Sequence, residues 1–174
     1  IIGGIYMQCV KITGAKKLKV EEMEMPERSR SDVIIKVNSC GICGSDIHYF
    51  VSGEPKGLVM GHEFAGEIVE LGANVHNFKI GDRVTSETTF EICGTCRYCR
   101  EKKYNLCATR KGIGTQQDGA FTNYVIARKE SVHRLPEKVT FLDASITEAA
   151  ACAYHGVDKA TIHQNDIVLV LGPG

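Results

Sequence analysis

The chain has 174 residues, enough for one domain with a hydrophobic core. Its 21 Lys and Arg equal its 21 Asp and Glu, and a chain without basic excess is not built to bind nucleic acid or an anionic membrane surface. No apolar run approaches the ~20 residues of a membrane span, the opening residues lack the pattern of a secretory leader, and a cytoplasmic setting is expected.

Ile1–Tyr6 carries no pattern, and the native chain is expected to begin at Met7. Met7–Ile12 and Lys17–Glu22 read as a hairpin around Thr13-Gly14-Ala15. Val33–Ser39 places Val33, Ile35 and Val37 on one face, the alternation of a strand. Phe64–Leu71 and Arg83–Ser86 read as further strands, joined through a polar stretch with Gly72 and Gly81-Asp82. Phe121–Ala127 and Ser131–Leu135 read as a second short strand pair. Many short strands punctuated by glycine predict a mainly β domain with few helices, of barrel or sandwich type. Asp143–Lys159, rich in alanine and free of Gly and Pro before Gly156, predicts a helix. Ile167–Leu171 is a continuous apolar run, the pattern of a strand buried in a parallel sheet. Helix, buried strand and then Gly172-Pro173-Gly174 mark the place where an α/β domain would start. The expected division is residues 7–155 for the β domain and 156–174 for a linker and the first strand of a nucleotide-binding domain.

Four of the eight cysteines lie in Cys93-x2-Cys96-x2-Cys99-x7-Cys107. Tetrahedral zinc takes four ligands, thiolates at about 2.3 Å. Gly94-Thr95 and Arg97-Tyr98 can turn the chain round one ion, and Lys102 and Lys103 can offset the thiolate charge. Four cysteines leave no open position, so this site is expected to serve structure. A ferredoxin-type run has a shorter last gap followed by proline; no proline follows Cys107.

A second set is more dispersed. Cys43-Gly44-Ser45-Asp46-Ile47-His48 and Gly61-His62-Glu63 together offer one thiolate, one imidazole and one carboxylate. That is a ligand set for catalytic zinc, which keeps one position for water or substrate. Successive strand residues point to opposite faces. His62 and Glu63 can therefore reach one ion only if the backbone bends, which Gly61 permits.

Gly61-His62-Glu63-x2-Gly66-x5-Gly72-x2-Val75 is similar, position for position, to the signature of the zinc-containing medium-chain alcohol and polyol dehydrogenases. Residues 41–48 resemble that family's first zinc-ligand segment, residues 93–107 its structural lobe, and Gly172-x-Gly174 the start of its nucleotide-binding domain. The resemblance implies a GroES-like β-barrel catalytic domain, truncated at the start of a Rossmann domain. It implies hydride transfer between a secondary alcohol or polyol and NAD or NADP, with two zinc ions per chain. The catalytic ion would be held by Cys43 and His62, with Glu63 coordinating as in the sorbitol-type branch or sitting behind the metal as in the alcohol-type branch; the structural ion would be held by Cys93, Cys96, Cys99 and Cys107. Asp46 would hydrogen-bond His62, and Ser45 would contact the substrate oxygen and pass its proton to His48. Cys40 reads as core, as do Cys9 and Cys152; His76, His133 and His163 read as surface residues, and His155 as a residue of the helix entering the nucleotide domain.

Glu148 would approach the zinc, although Ser145-x-x-Glu148 also fits a helix capping box that would explain it without metal. Glu148 and Tyr49-Phe50 favour a sorbitol-like substrate; L-threonine and butanediol dehydrogenases fit the same pattern. Gly172 and Gly174 would take the cofactor pyrophosphate at a helix N-terminus. The full-length protein would form a homo-oligomer, and the isolated chain would bind zinc without turning over alcohol. A zinc-stabilised binding module without catalysis accounts for the cysteine knuckle but leaves the 43–48 and 62–63 residues without a purpose.

Overall fold

The computed structural model describes residues 6–172; the expectations for residues 1–5 and for Gly174 lie outside the described residues. In chain order the strands are β1 (Tyr6–Gly14), β2 (Lys17–Glu24), β3 (Asp32–Cys40), β4 (Phe64–Leu71), β5 (Arg83–Ser86), β6 (Thr89–Glu91), β7 (Lys111–Gly112), β8 (Tyr124–Arg128) and β9 (Val132–Arg134). The α-helices are α1 (Gly44–Ser52), α2 (Arg97–Arg100), α3 (Phe141–Ala144) and α4 (Thr147–Lys159). Among the described residues no helix is long and apolar enough to cross a membrane.

β1 and β2 form the expected antiparallel hairpin. Its turn closes with Lys16 at φ 56°, beside an irregular register between Ile12 and Gly14. β1 is tied to the rest of the domain by Val10 N–H to the Phe121 carbonyl at 2.9 Å and Ile12 N–H to the Leu58 carbonyl at 3.2 Å.

The main sheet is antiparallel, in the order β8-β3-β4-β5-β9. The segments expected to pair with each other as β8 and β9 do not pair; they stand at opposite edges of this sheet. Only a short 3-10 turn, Lys129–Ser131, separates them. Four peptide steps reach at most ~14 Å, whereas four inter-strand spacings in a flat sheet cover ~19 Å. The sheet must therefore curl until its edges approach, which makes it barrel-like. Val33, Ile35, Phe64, Ile68, Val84, Ile113 and Val125 fill the interior, each apolar side chain contributing about 1.5–3 kcal/mol by leaving water.

The expected helix over residues 143–159 is divided. Thr140 caps α3, its hydroxyl accepting from Asp143 N–H at 3.1 Å while the Asp143 carboxylate accepts from Thr140 N–H at 3.3 Å. The Ser145/Glu148 capping box does not form. Ser145 sits at φ −64° and ψ −19°, already helical, whereas an N-cap needs extended backbone. Its hydroxyl donates to the Leu142 carbonyl at 2.7 Å, and α4 starts without a side-chain cap.

Residues 167–171 do not form the buried strand expected of them. They take no regular structure and are exposed, Ile167 fully so. A parallel strand needs neighbours for its N–H and C=O groups, and the curled antiparallel sheet offers it none.

Candidate metal centres and active site

The cysteine knuckle occupies the loop between β6 and β7. Cys96 caps α2, and the four sulfurs of Cys93, Cys96, Cys99 and Cys107 lie within 4.8 Å of one another. Backbone amides point at them: Cys96 N–H to Cys93 Sγ at 3.3 Å, Cys99 N–H to Cys96 Sγ at 3.5 Å and Cys93 N–H to Cys107 Sγ at 3.5 Å. Amides of Thr95 and Cys96 hold the Cys93 thiol down at about 6. The Cys93 amide and then the Thr109 hydroxyl lower Cys107. Desolvation, with hydrogen bonding among the neighbouring thiols, pushes Cys99 up to about 12. The donor set fits a thiophilic dication, which would let the remaining thiols ionise. Of the two lysines expected to offset this charge, Lys103 pairs with Glu101 at 2.8 Å and Lys102 lines a neighbouring cavity.

The dispersed set is assembled by two segments. Cys43 is the N-cap of α1, the helix that the sequence reading did not identify. His62 and Glu63, 7% and 9% exposed, lie just before β4. One ligand atom from each of Cys43, His62 and Glu63 falls within 4.8 Å of the others. Adjacent residues can reach one point because both precede β4 and Glu63 lies at a bend, so strand alternation does not apply there; Gly61 before them takes φ 91°. A Cβ on Gly61 would stand 2.6 Å from the Phe121 ring and 2.9 Å from Phe121 N. Gly61→Ala is therefore expected to destabilise the protein by about 1–3 kcal/mol through backbone strain and to lose one bound zinc per chain. Urea unfolding with metal analysis checks this; an unchanged midpoint and metal content would contradict the role of the bend.

Asp46, only 2% exposed, joins the two segments. One carboxylate oxygen accepts from Cys43 N–H at 2.9 Å and the other from Gly61 N–H at 3.3 Å. The expected hydrogen bond to His62 is not made: His62 Nδ1 lies 3.8 Å from Asp46 Oδ1 and is buried without a partner. Asp46 thus sets the spacing of the ligand-bearing backbones rather than the histidine tautomer. The convergence of thiolate, imidazole and carboxylate beside a buried, unpaired ring nitrogen fits a divalent cation.

Cys40 stands outside this group and packs against the core. Desolvation, then the charges of Asp46 and Glu63, push its thiol up to about 12. Ser45 is half-buried and His48 exposed. Both sit on α1, and among the described residues no hydrogen bond joins them.

Glu148 is half-buried and lies outside the three-residue group; it accepts from the Cys152 thiol at 3.5 Å. Cys152, expected in the core, is exposed. Desolvation, then the Glu148 carboxylate, pushes its thiol up. Glu148, Cys152 and His155 line a cavity of about 560 Å³ together with Thr85, Thr89, Lys102 and Arg110. Sequence reasoning missed this cavity, whose walls are distant in the chain. Gly172 is exposed, with φ 72°.

A curled β domain with a four-cysteine group and a Cys43/His62/Glu63 group agrees with the resemblance to the zinc-type dehydrogenases. The chain belongs to that family: the model for the alcohol dehydrogenase GroES-like domain matches residues 29–137. It is 49% identical over 166 residues to D-arabitol-phosphate dehydrogenase of Enterococcus avium, covering 92% of this chain and 47% of the relative. It is 50% identical over 163 residues to sorbitol dehydrogenase of Halalkalibacterium halodurans, covering 92% and 48%. The solved galactitol-1-phosphate dehydrogenase from Escherichia coli superposes with a TM-score of 0.80 at 28% identity, covering 88% of this chain and 45% of that one. The chain spans about half the length of the curated relatives it matches.

Proposed function

We propose that this chain is the catalytic domain of a zinc-dependent dehydrogenase that moves hydride between a secondary alcohol, a polyol by preference, and NAD or NADP. The convergence of Cys43, His62 and Glu63 carries the reading. A zinc ion held there, with one position left open, supplies Lewis acidity that lowers a hydroxyl pKa by several units. Cys93, Cys96, Cys99 and Cys107 would hold a second, structural zinc with no open position.

The protein's own groups do the rest. Ser45, two residues beyond Cys43, accepts the substrate hydroxyl proton as its own hydroxyl proton passes on toward His48. His48 lies three residues further along α1 and thus on the same helix face. Exposed to solvent, it hands the proton on to water. Asp46 holds both ligand segments in register. Glu148, half-buried on α4 and in contact with the Cys152 thiol, would approach the zinc from that helix. Residues 156–174 lead into a nucleotide-binding domain, where Gly172 and Gly174 let the backbone approach the cofactor pyrophosphate. The whole protein acts as a cytoplasmic homo-oligomer on a small polyol. Sorbitol and D-arabitol phosphate, acted on by relatives according to their names, define the substrate range.

The test is a panel of free and phosphorylated polyols with NAD and NADP on the full-length protein. NAD(P)-linked oxidation that a chelator abolishes while the knuckle keeps its zinc is expected. Two zinc ions per chain with no oxidation of any polyol would overturn the reading.

A further inference from the structure

The cavity beside the ligand group has a charge pattern that a neutral polyol does not require. Arg110 is half-buried on its wall. Its Nε donates to the Thr89 hydroxyl at 3.0 Å and its Nη2 to the Thr88 hydroxyl at 2.7 Å. Among the described residues no carboxylate lies within ion-pair distance of Arg110 or of Lys102, which lines the same cavity. The two carboxylates on the walls are engaged: Glu87 with His133 at 3.1 Å and Glu148 with the Cys152 thiol at 3.5 Å. Two of the five guanidinium N–H groups are spent on neutral hydroxyls, so the planar fork is held in place with donors to spare.

The cavity is also next to the chemistry. Its wall residue Thr85 donates to the Phe64 carbonyl at 2.8 Å, and Phe64 follows the ligand Glu63. About 560 Å³ is within the usual size of small-molecule sites. An unpaired guanidinium held by two hydroxyls, with an ammonium nearby, suits a tetrahedral oxyanion, to which arginine donates bidentately.

We propose that Arg110 and Lys102 form an anion subsite that holds the phosphate of a phosphorylated polyol while one of its carbinol groups meets the Cys43/His62/Glu63 centre. This assignment rests on the dehydrogenase reading for the reacting end and on the cavity's cations for the other.

Two measurements on the full-length protein separate the parts. The first compares kcat/KM for a polyol and for its phosphate monoester in the wild type, Arg110→Gln and Lys102→Gln. The expected result is a wild-type preference for the ester. The ester-to-polyol ratio should fall about 10- to 100-fold in Arg110→Gln, the range for losing hydrogen bonds to a charged group, and less in Lys102→Gln. Equal ratios in all three proteins would overturn the subsite and leave the dehydrogenase reading standing. The second is binding of glycerol phosphate, followed by calorimetry without cofactor. Binding weakened by Arg110→Gln is expected even if no polyol is oxidised, in which case the dehydrogenase reading alone fails. Should Arg110→Gln fail to fold, Lys102→Gln, altered at an exposed side chain, decides both measurements. Competition by NADP but not by polyol phosphate would assign the cations to the nucleotide and overturn the proposal.

Discussion

Replacing Cys43 by alanine in the full-length protein is expected to abolish alcohol oxidation, with kcat/KM falling by at least about 10³-fold. Polarisation of the reacting oxygen is worth several kcal/mol, and each ~1.4 kcal/mol is a factor of ten in rate. The fold should barely respond. Cys43 is half-buried at the N-cap of α1, and the contact that ties α1 to the Gly61 segment is made by Asp46, not by the cysteine. Steady-state kinetics with zinc analysis reads the outcome: activity lost, one zinc retained per chain, and a melting temperature within a few degrees of the wild type. A folded variant that keeps both its activity and two zinc ions would remove Cys43 from the chemistry.

Cys96→Ala should give the opposite pattern. Cys96 supplies one sulfur of the closed group, caps α2, and accepts the Cys99 amide at 3.5 Å. The knuckle has little else to hold it. α2 is four residues long, and the loop's ion pairs, Glu101 with Arg97 and with Lys103, are at the surface, where such pairs contribute about 1 kcal/mol or less. Structural zinc binding is in effect folding free energy, on the order of 10 kcal/mol in small zinc domains, so loss of one ligand should cost several kcal/mol and loosen the loop between β6 and β7. Amide exchange over residues 92–110 should quicken markedly. Unchanged protection there, with loss of activity instead, would mean that the two centres have been exchanged in role.

Local signals carried much of the fold. Phe64–Leu71 and Arg83–Ser86 form strands with the bounds read from alternation and glycine punctuation. The knuckle's spacing and its geometry agree because all four ligands lie on one short loop. Pairing across the chain was not legible. Phe121–Ala127 and Ser131–Leu135 look like a hairpin because they are close in sequence, yet β8 and β9 pair with β3 and β5; curling of the sheet, a tertiary property, decides it. Helix α1 did leave signals: Asp46 in its first turn and Gly53 at φ 78° as its C-cap. They were overshadowed by the reading of Cys43–His48 as a ligand loop.

The candidate site divided in the same way. Cys43, His62 and Glu63 were named from the sequence, and the structure brings their ligand atoms together. Asp46 was given a partner it does not hydrogen-bond, because only the fold places the Gly61 amide in front of its carboxylate. Ser145 and Glu148 had the spacing of a capping box, but Thr140 starts the helical turn five residues earlier and leaves Ser145 helical. Arg110 carried no sequence signal and Lys102 was read only as a charge beside the knuckle, since residues from four separate segments line the cavity.

The most direct measurement is anomalous diffraction at the zinc edge from crystals of the full-length protein. Two peaks per chain are predicted, one among the sulfurs of Cys93, Cys96, Cys99 and Cys107 and one touching Cys43, His62 and Glu63. A zinc-replete crystal with a peak at the knuckle alone would contradict the assignment and leave a zinc-stapled β domain without a catalytic centre.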